Sequence, residues 1–191
     1  GRRSVRALAC GETFHPVIGP VAEAEALYGR QLKLRDRVRT AKDEFVVWDV
    51  GLGAAANALT VLRATRDLPA PIRLVSFDRT LEPLRFALRH ARELGYFGGY
   101  EWVAQRLAAG NAPSLCFDDG LRPVHWDLWV ADFPAFLRTQ RARSVAKPHA
   151  ILFDAFSPAA NPDMWTLSLF AGLYSLLDPR RPCALPTYSR S

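Results

Sequence analysis

Apolar positions along the chain change period several times, and these changes divide it into strand-like and helix-like segments. Residues 45–50 (FVVWDV) form a short, nearly unbroken apolar run, the pattern of a parallel strand covered on both faces. Over residues 54–66 the period becomes helical, with Leu59 and Leu62 among alanines, and Pro69 and Pro71 close the segment. Residues 72–77 read as a second strand ending at Asp78. A helix is then expected over 81–94, with Leu84, Leu88, Ala91 and Leu94 on one face and Gly95 just past its end. Gly98-Gly99 marks a break, and a further short helix is expected over 101–109. Residues 114–117 and 124–130 flank Asp118-Asp119-Gly120, which reads as a hairpin turn. Residues 149–153 form another buried strand, 163–177 a helix, and 183–188 a last strand that Pro186 confines to an edge or a bulge. Ahead of all these, residues 20–39 carry Ala22, Ala26, Leu27, Leu32 and Leu34 among charges, as a helix or helix pair does.

Strand, helix, strand, helix in this order predicts an α/β fold, a mostly parallel sheet with right-handed crossovers, helices on both faces and an inserted β-hairpin. The expected organisation is an N-terminal segment, 1–40, packing on a core domain, 41–191. In such sheets ligands bind beyond the carboxyl ends of the strands. That rule singles out residues 49–53, Asp78, Asp132 and residues 154–158.

Composition narrows the picture. A chain of 191 residues fits one domain, at about 100–200 residues each, and its 49% apolar content argues against disorder. No apolar run approaches the roughly 18 residues of a spanning helix. Gly1-Arg2-Arg3-Ser4 is not followed by a signal-like apolar core, so a soluble, cytoplasmic protein without a membrane partner is expected. Cys10, Cys116 and Cys183 lie far apart with no CxxC pair, which points to packing rather than to zinc or a disulfide framework. Lys and Arg outnumber Asp and Glu by 25 to 19, mostly through arginine. The excess fits a phosphate-rich partner such as RNA and equally an arginine-rich composition; residues 138–143 could meet phosphates or form a solvated helix face.

Chemistry concentrates at two strand ends. Gly51 and Gly53 allow a tight strand-to-helix turn and close backbone approach to a ligand, although Ala56 stands where a GxGxxG motif has its third glycine. Asp78, at the next strand end, is placed to accept hydrogen bonds from a ribose diol, or to sit at a helix N-terminus where the dipole favours an acid. Asp49 would repel a pyrophosphate, whereas S-adenosylmethionine carries no phosphate and presents an ammonium and a sulfonium. The same acid could instead cap a neighbouring turn. At the second end, Asp154-Ala155-Phe156-Ser157-Pro158, followed by Asn161-Pro162-Asp163-Met164-Trp165, combines an acid, aromatics and a proline after a buried run. Asp154 is suited to bind and orient an amine, and Phe156 or Trp165 to wall a base or simply to pack. His90, His125 and His149 are scattered without ligand spacing, and no metal site is expected.

These blocks resemble a known family. Asp49-Val50-Gly51-Leu52-Gly53 with Asn57-Ala58-Leu59, Ser76-Phe77-Asp78-Arg79, Asp127-Leu128-Trp129-Val130-Ala131-Asp132, and above all Asp154-Ala155-Phe156-Ser157-Pro158 with Asn161-Pro162-Asp163-Met164-Trp165-Thr166 look like the methyltransferase domain of the MnmC tRNA wobble-uridine modification family and its stand-alone relatives. The resemblance implies a Rossmann-like class I methyltransferase fold and S-adenosylmethionine as cofactor. It implies methylation of the 5-aminomethyl group of a wobble uridine, often 2-thiolated, in tRNA. By the same resemblance, Asp49, Gly51 and Gly53 contact the methionine part, Asp78 the ribose and Asp132 the adenine region. Asp154 and Phe156 then face the amine, with Pro158, Trp165 and His15 on the substrate side.

Three departures stand out. Gly53-Ala54-Ala55 replaces a usual Gly-Thr-Gly, Asp49 and Asp78 replace usual glutamates, and the chain stops where relatives continue into further strands, as a fragment or an unusually short domain would. No FAD-binding signature is present, so a separate FAD-dependent oxidase or other upstream tRNA-modifying enzyme is expected to supply the aminomethyl group. A non-catalytic binding domain and a methyltransferase acting on a small amine remain as alternatives.

Overall fold

The computed structural model describes residues 32–110 and 113–186. Five strands among these residues form one sheet in the order β3-β4-β2-β1-β5: β1 (Phe45–Val50), β2 (Ile72–Asp78), β3 (Ser114–Asp119), β4 (Arg122–Val130) and β5 (Ala150–Phe153). β1 pairs in parallel with β2 and β5, and β2 with β4; only β3 runs antiparallel, on β4. The hairpin is therefore built into the sheet, since its second arm β4 is also the parallel neighbour of β2.

Burial explains the strand patterns. All six residues of β1 are buried, because a central strand has neighbours on both sides and cover on both faces, and all four of β5, at the end of the strand order, are buried with cover on both faces. Edge strand β3 alternates instead, with only one face covered. On one face, Val47, Leu74, Trp126 and Leu152 pack against Leu59 and Leu62 of α2 (Ala56–Thr65), Leu84 of α3 (Glu82–Arg89), and Val103 and Leu107 of α5 (Glu101–Ala108). On the other face, Val46, Trp48, Phe77 and Phe153 pack against Phe133 and Phe136 of α6 (Phe133–Leu137) and Leu169 and Leu173 of α8 (Leu167–Ser175). α1 (Leu34–Arg39) joins the first layer through Leu34 and Val38; the rest of the expected helix over 20–39 lies outside the described residues.

The turn of the hairpin is anchored by charge. Arg122, with a fully buried side chain, donates to the carbonyls of Thr65 and Leu62 at the carboxyl end of α2, where the helix dipole favours a cation. Asp119 lies 3.6 Å from Arg122, pairs with Arg66 at 3.1 Å and accepts from the Tyr100 hydroxyl at 2.9 Å. Gly120 (φ 67°) must be glycine, since a Cβ there would sit 2.6 Å from the Arg66 carbonyl oxygen.

Two expected helices are divided. The segment over 81–94 becomes α3 and a short α4 (Ala91–Leu94), separated by His90 at φ −113°, ψ 24°, with Gly95 closing α4 in the left-handed conformation. The segment over 163–177 becomes a 3-10 turn, Pro162–Trp165, and then α8. Thr166 divides them because its hydroxyl accepts from the Leu169 amide at 3.1 Å, a better use of threonine than a helix interior. A short α7 (Gln140–Ser144) covers much of the arginine-rich stretch. Of the expected last strand, Ala184 bridges in parallel to Ala150, and the Ala184 carbonyl accepts from Ile151 at 2.8 Å; residues 187–191 are not described. No helix among the described residues is long and apolar enough to cross a membrane.

Candidate active site

β1 sits where the sheet reverses its order, with β2 and β4 to one side and β5 to the other, and the loop after it lies at that crevice. The Gly51 and Leu52 amides donate to the Phe77 carbonyl at 2.9 and 3.1 Å, which ties the loop to the end of β2. Gly51 (φ 95°) cannot be replaced without displacement, because a Cβ there would lie 2.6 Å from the Asp154 carbonyl oxygen. Two strand ends therefore meet backbone to backbone. Gly53 (φ 52°) continues the turn, and Ala55 (φ 64°) completes it in the left-handed region just before α2. An L-residue pays about 1–2 kcal/mol for that conformation. The fully buried Ala55 keeps the turn that a third glycine would make easily.

Three carboxylates converge below and beside this loop. Asp49 is fully buried; its Oδ2 accepts from the Ser76 hydroxyl at 2.9 Å, and its Oδ1 has no hydrogen-bond partner among the described residues. Burial pushes its carboxyl up to about 8, the charges of Asp154 and Asp78 reinforce the rise, and the Ser76 hydrogen bond opposes it. Asp78 Oδ2 accepts from the Gly53 amide at 2.8 Å and Oδ1 from Thr80 at 3.3 Å. Burial still raises its carboxyl above the ordinary range, against those amides and the Arg79 charge. Asp154 continues β5: its amide donates to the Val50 carbonyl at 2.9 Å, and its Oδ2 accepts from Asn57 Nδ2 at 2.7 Å.

A cleft of about 400 Å³ opens over these groups. Of the residues expected at the site, Gly51, Gly53, Asp78, Asp154 and Phe156 line it, joined by Arg79, Thr80, Phe133, Asn161 and Met164. Asp49 lies beneath the loop rather than in the wall. Asp132 caps α6 by accepting from the Ala135 amide at 2.9 Å, and it pairs with Arg79, whose Nε donates to it at 2.7 Å. Burial would raise the Asp132 carboxyl, but the Ala135 amide and Arg79 outweigh it and hold the group below its usual value. Trp165 supports the wall from behind, its indole N–H donating to the Phe156 carbonyl at 2.8 Å and its ring meeting Phe153 edge-on at 5.4 Å. Pro158 is not among the lining residues, and His15 lies outside the described residues.

Sequence reasoning gave no role to Asn57 or to Arg79. Both left a trace: Asn57 is a polar residue in the apolar run from Leu52 to Leu62, and Arg79 directly follows a strand-end acid.

Residues 116–191 match the model of a family described as S-adenosyl-L-methionine-dependent methyltransferase. The chain is similar to the tRNA 5-methylaminomethyl-2-thiouridine biosynthesis bifunctional protein MnmC of Aeromonas hydrophila, 31% identical over 151 residues, 74% of this chain and 22% of that protein. It is similar also to the protein of the same name in Azoarcus sp., 30% identical over 173 residues, 85% of this chain and 25% of that one. It thus spans about a quarter or less of the length of these curated relatives. Among solved structures, MNMC2 from Aquifex aeolicus superposes with a TM-score of 0.73 over all of this chain and 58% of that one, at 20% identity, which shows a common fold.

Proposed function

The chain is related by sequence and fold to the S-adenosyl-L-methionine-dependent methyltransferases of the MnmC family, and from that premise we propose that it methylates an amine, the 5-aminomethyl group of a wobble uridine in tRNA, 2-thiolated or not. One observation carries the reading: Asp154, directly after β5, stands on the cleft wall against the Gly51 loop that follows β1.

The residues fit the cofactor. Asp78 and Asp154 line the cleft, and Arg79, the one arginine on the cleft wall among the described residues, is engaged by Asp132. That charge balance disfavours a phosphate-bearing cofactor and suits a ligand with an ammonium and a sulfonium. The bare Gly51 and Gly53 backbones would accept its methionine part, the unpartnered Oδ1 of Asp49 leaves an unused polar atom beneath the loop, and Asp78 stands for the ribose. Bound S-adenosylmethionine supplies an electrophilic methyl group. The protein's own task is chiefly positioning: Asp154 accepts a hydrogen bond from the neutral amine, aims its lone pair and takes up the proton released afterwards. Phe156 forms the wall against which the base lies. The excess of arginine supplies the charge for tRNA phosphates. The aminomethyl group comes from an upstream activity, an FAD-dependent oxidase or another tRNA-modifying enzyme.

Labelled S-adenosylmethionine incubated with tRNA from a strain lacking the modification, followed by nucleoside analysis, tests cofactor, substrate and product together. Label in the methylaminomethyl nucleoside is expected. Turnover of a small amine without tRNA would replace the substrate, and no calorimetric binding of S-adenosylmethionine up to millimolar concentration would overturn the reading. Asp154→Ala should lower transfer by roughly 10²-fold or more while cofactor affinity holds.

A further inference from the structure

Asn57 is only 3% exposed, the second residue of α2, with buried Ala56, Ala58 and Leu59 around it. A leucine or alanine would suit that surface better, since a buried side-chain carbonyl without a donor is left desolvated and uncompensated. The Asn57 carbonyl oxygen is such a group, having no hydrogen-bond partner among the described residues. The amide nitrogen, in contrast, donates to Asp154 Oδ2 at 2.7 Å. Only the nitrogen end of the amide can face a carboxylate.

Resting on the methyltransferase reading, we infer that Asn57 is the positioning residue of Asp154: it holds the carboxylate in the orientation the amine requires and links it to the cofactor loop. Three constraints then meet on Asp154. Its amide is bound to Val50, its carbonyl rests against the bare α-carbon of Gly51, and its carboxylate is held from α2. A lysine or arginine at position 57 would orient the acid equally well but would pair its charge and weaken it as a proton acceptor. A neutral amide orients the carboxylate without adding a cation beside it. α2 begins directly after the Gly51–Ala55 turn, so a ligand that settles the turn also settles Asn57, and through it Asp154.

The test uses the whole chain with S-adenosylmethionine and hypomodified tRNA. Asn57→Leu, which fills the site without a donor, should lower kcat by roughly 10²-fold while the calorimetric affinity for S-adenosylmethionine changes less than about threefold. Asn57→Ser, which restores a short donor, should recover part of the loss. Asn57→Asp places a second carboxylate against the first, so the pair shares a proton and the acidic limb of the kcat profile moves to higher pH. Near-normal kcat and an unchanged pH profile in Asn57→Leu would overturn the inference. So would an equal loss of cofactor affinity and kcat in all three variants, which would make Asn57 a loop residue only. If the wild-type chain transfers no methyl group at all, the functional reading fails instead, and the two failures are thereby distinguished.

Discussion

Asp49 is the residue whose surroundings depart furthest from those of an ordinary carboxylate. Its folded value of about 8 lies above the ordinary 3.8, so the folded chain holds that proton more tightly than the unfolded one. The stabilising contribution is therefore complete below about pH 4 and lost as pH rises through about 8, falling by about 1.4 kcal/mol for each pH unit in between. Asp49→Asn should flatten this part of the stability profile, leaving the variant relatively more stable at pH 9 than at pH 5. Denaturant titrations of both proteins at the two pH values measure the difference, and parallel profiles would remove Asp49 as its source. From the sequence, Asp49 was legible as an acid at a strand end. Its position beneath the loop was not, because an acid inside a run of six buried residues looks the same in one dimension whether it faces a ligand or the core.

Turns and caps decide matters at the level of elements. Ala55→Gly removes about 1–2 kcal/mol of left-handed strain but gives up about 0.8 kcal/mol of methyl burial and adds unfolded-state entropy. Stability should then change by less than about 1 kcal/mol, whereas Ala55→Val should cost more than about 2 kcal/mol. Chemical denaturation separates the two variants; similar losses in both would show that side-chain volume, and not backbone strain, governs the turn. Thr166→Ala removes the cap of α8 and should cost about 1 kcal/mol, provided the helix starts where its hydroxyl bond to Leu169 places it. Periodicity located both divided helices but not their divisions. Apolar spacing continues across a single non-helical residue such as His90 or Thr166, so the stripe of Leu84, Leu88, Ala91 and Leu94 reads as one helix.

Over the whole molecule, charge governs the encounter with a polyanion. With a formal charge of +6, binding to hypomodified tRNA should weaken steadily with salt, the logarithm of affinity falling linearly with that of salt concentration by about 0.7–0.9 per phosphate contacted. Filter binding across a salt series measures the slope. A flat response would show that arginine content reflects composition and not recognition. The same scale explains why the site forms where it does: parallel pairing of β1 with both β2 and β5 puts their carboxyl ends side by side, so loops separated by about a hundred residues share one cleft.

By itself the sequence determined the alternation of buried strands and amphipathic helices, the two strand-end motifs and their acid-rich chemistry. Each of these is written in the period and type of adjacent residues. The tertiary structure alone decided which of those residues meet. It set Asp154 against Gly51, brought Asn57 to the Asp154 carboxylate, paired Arg79 with Asp132 and placed Asp49 under the loop. The physical reason is that such contacts depend on strand order and register, and these follow from burying both faces of the sheet at once rather than from any local pattern.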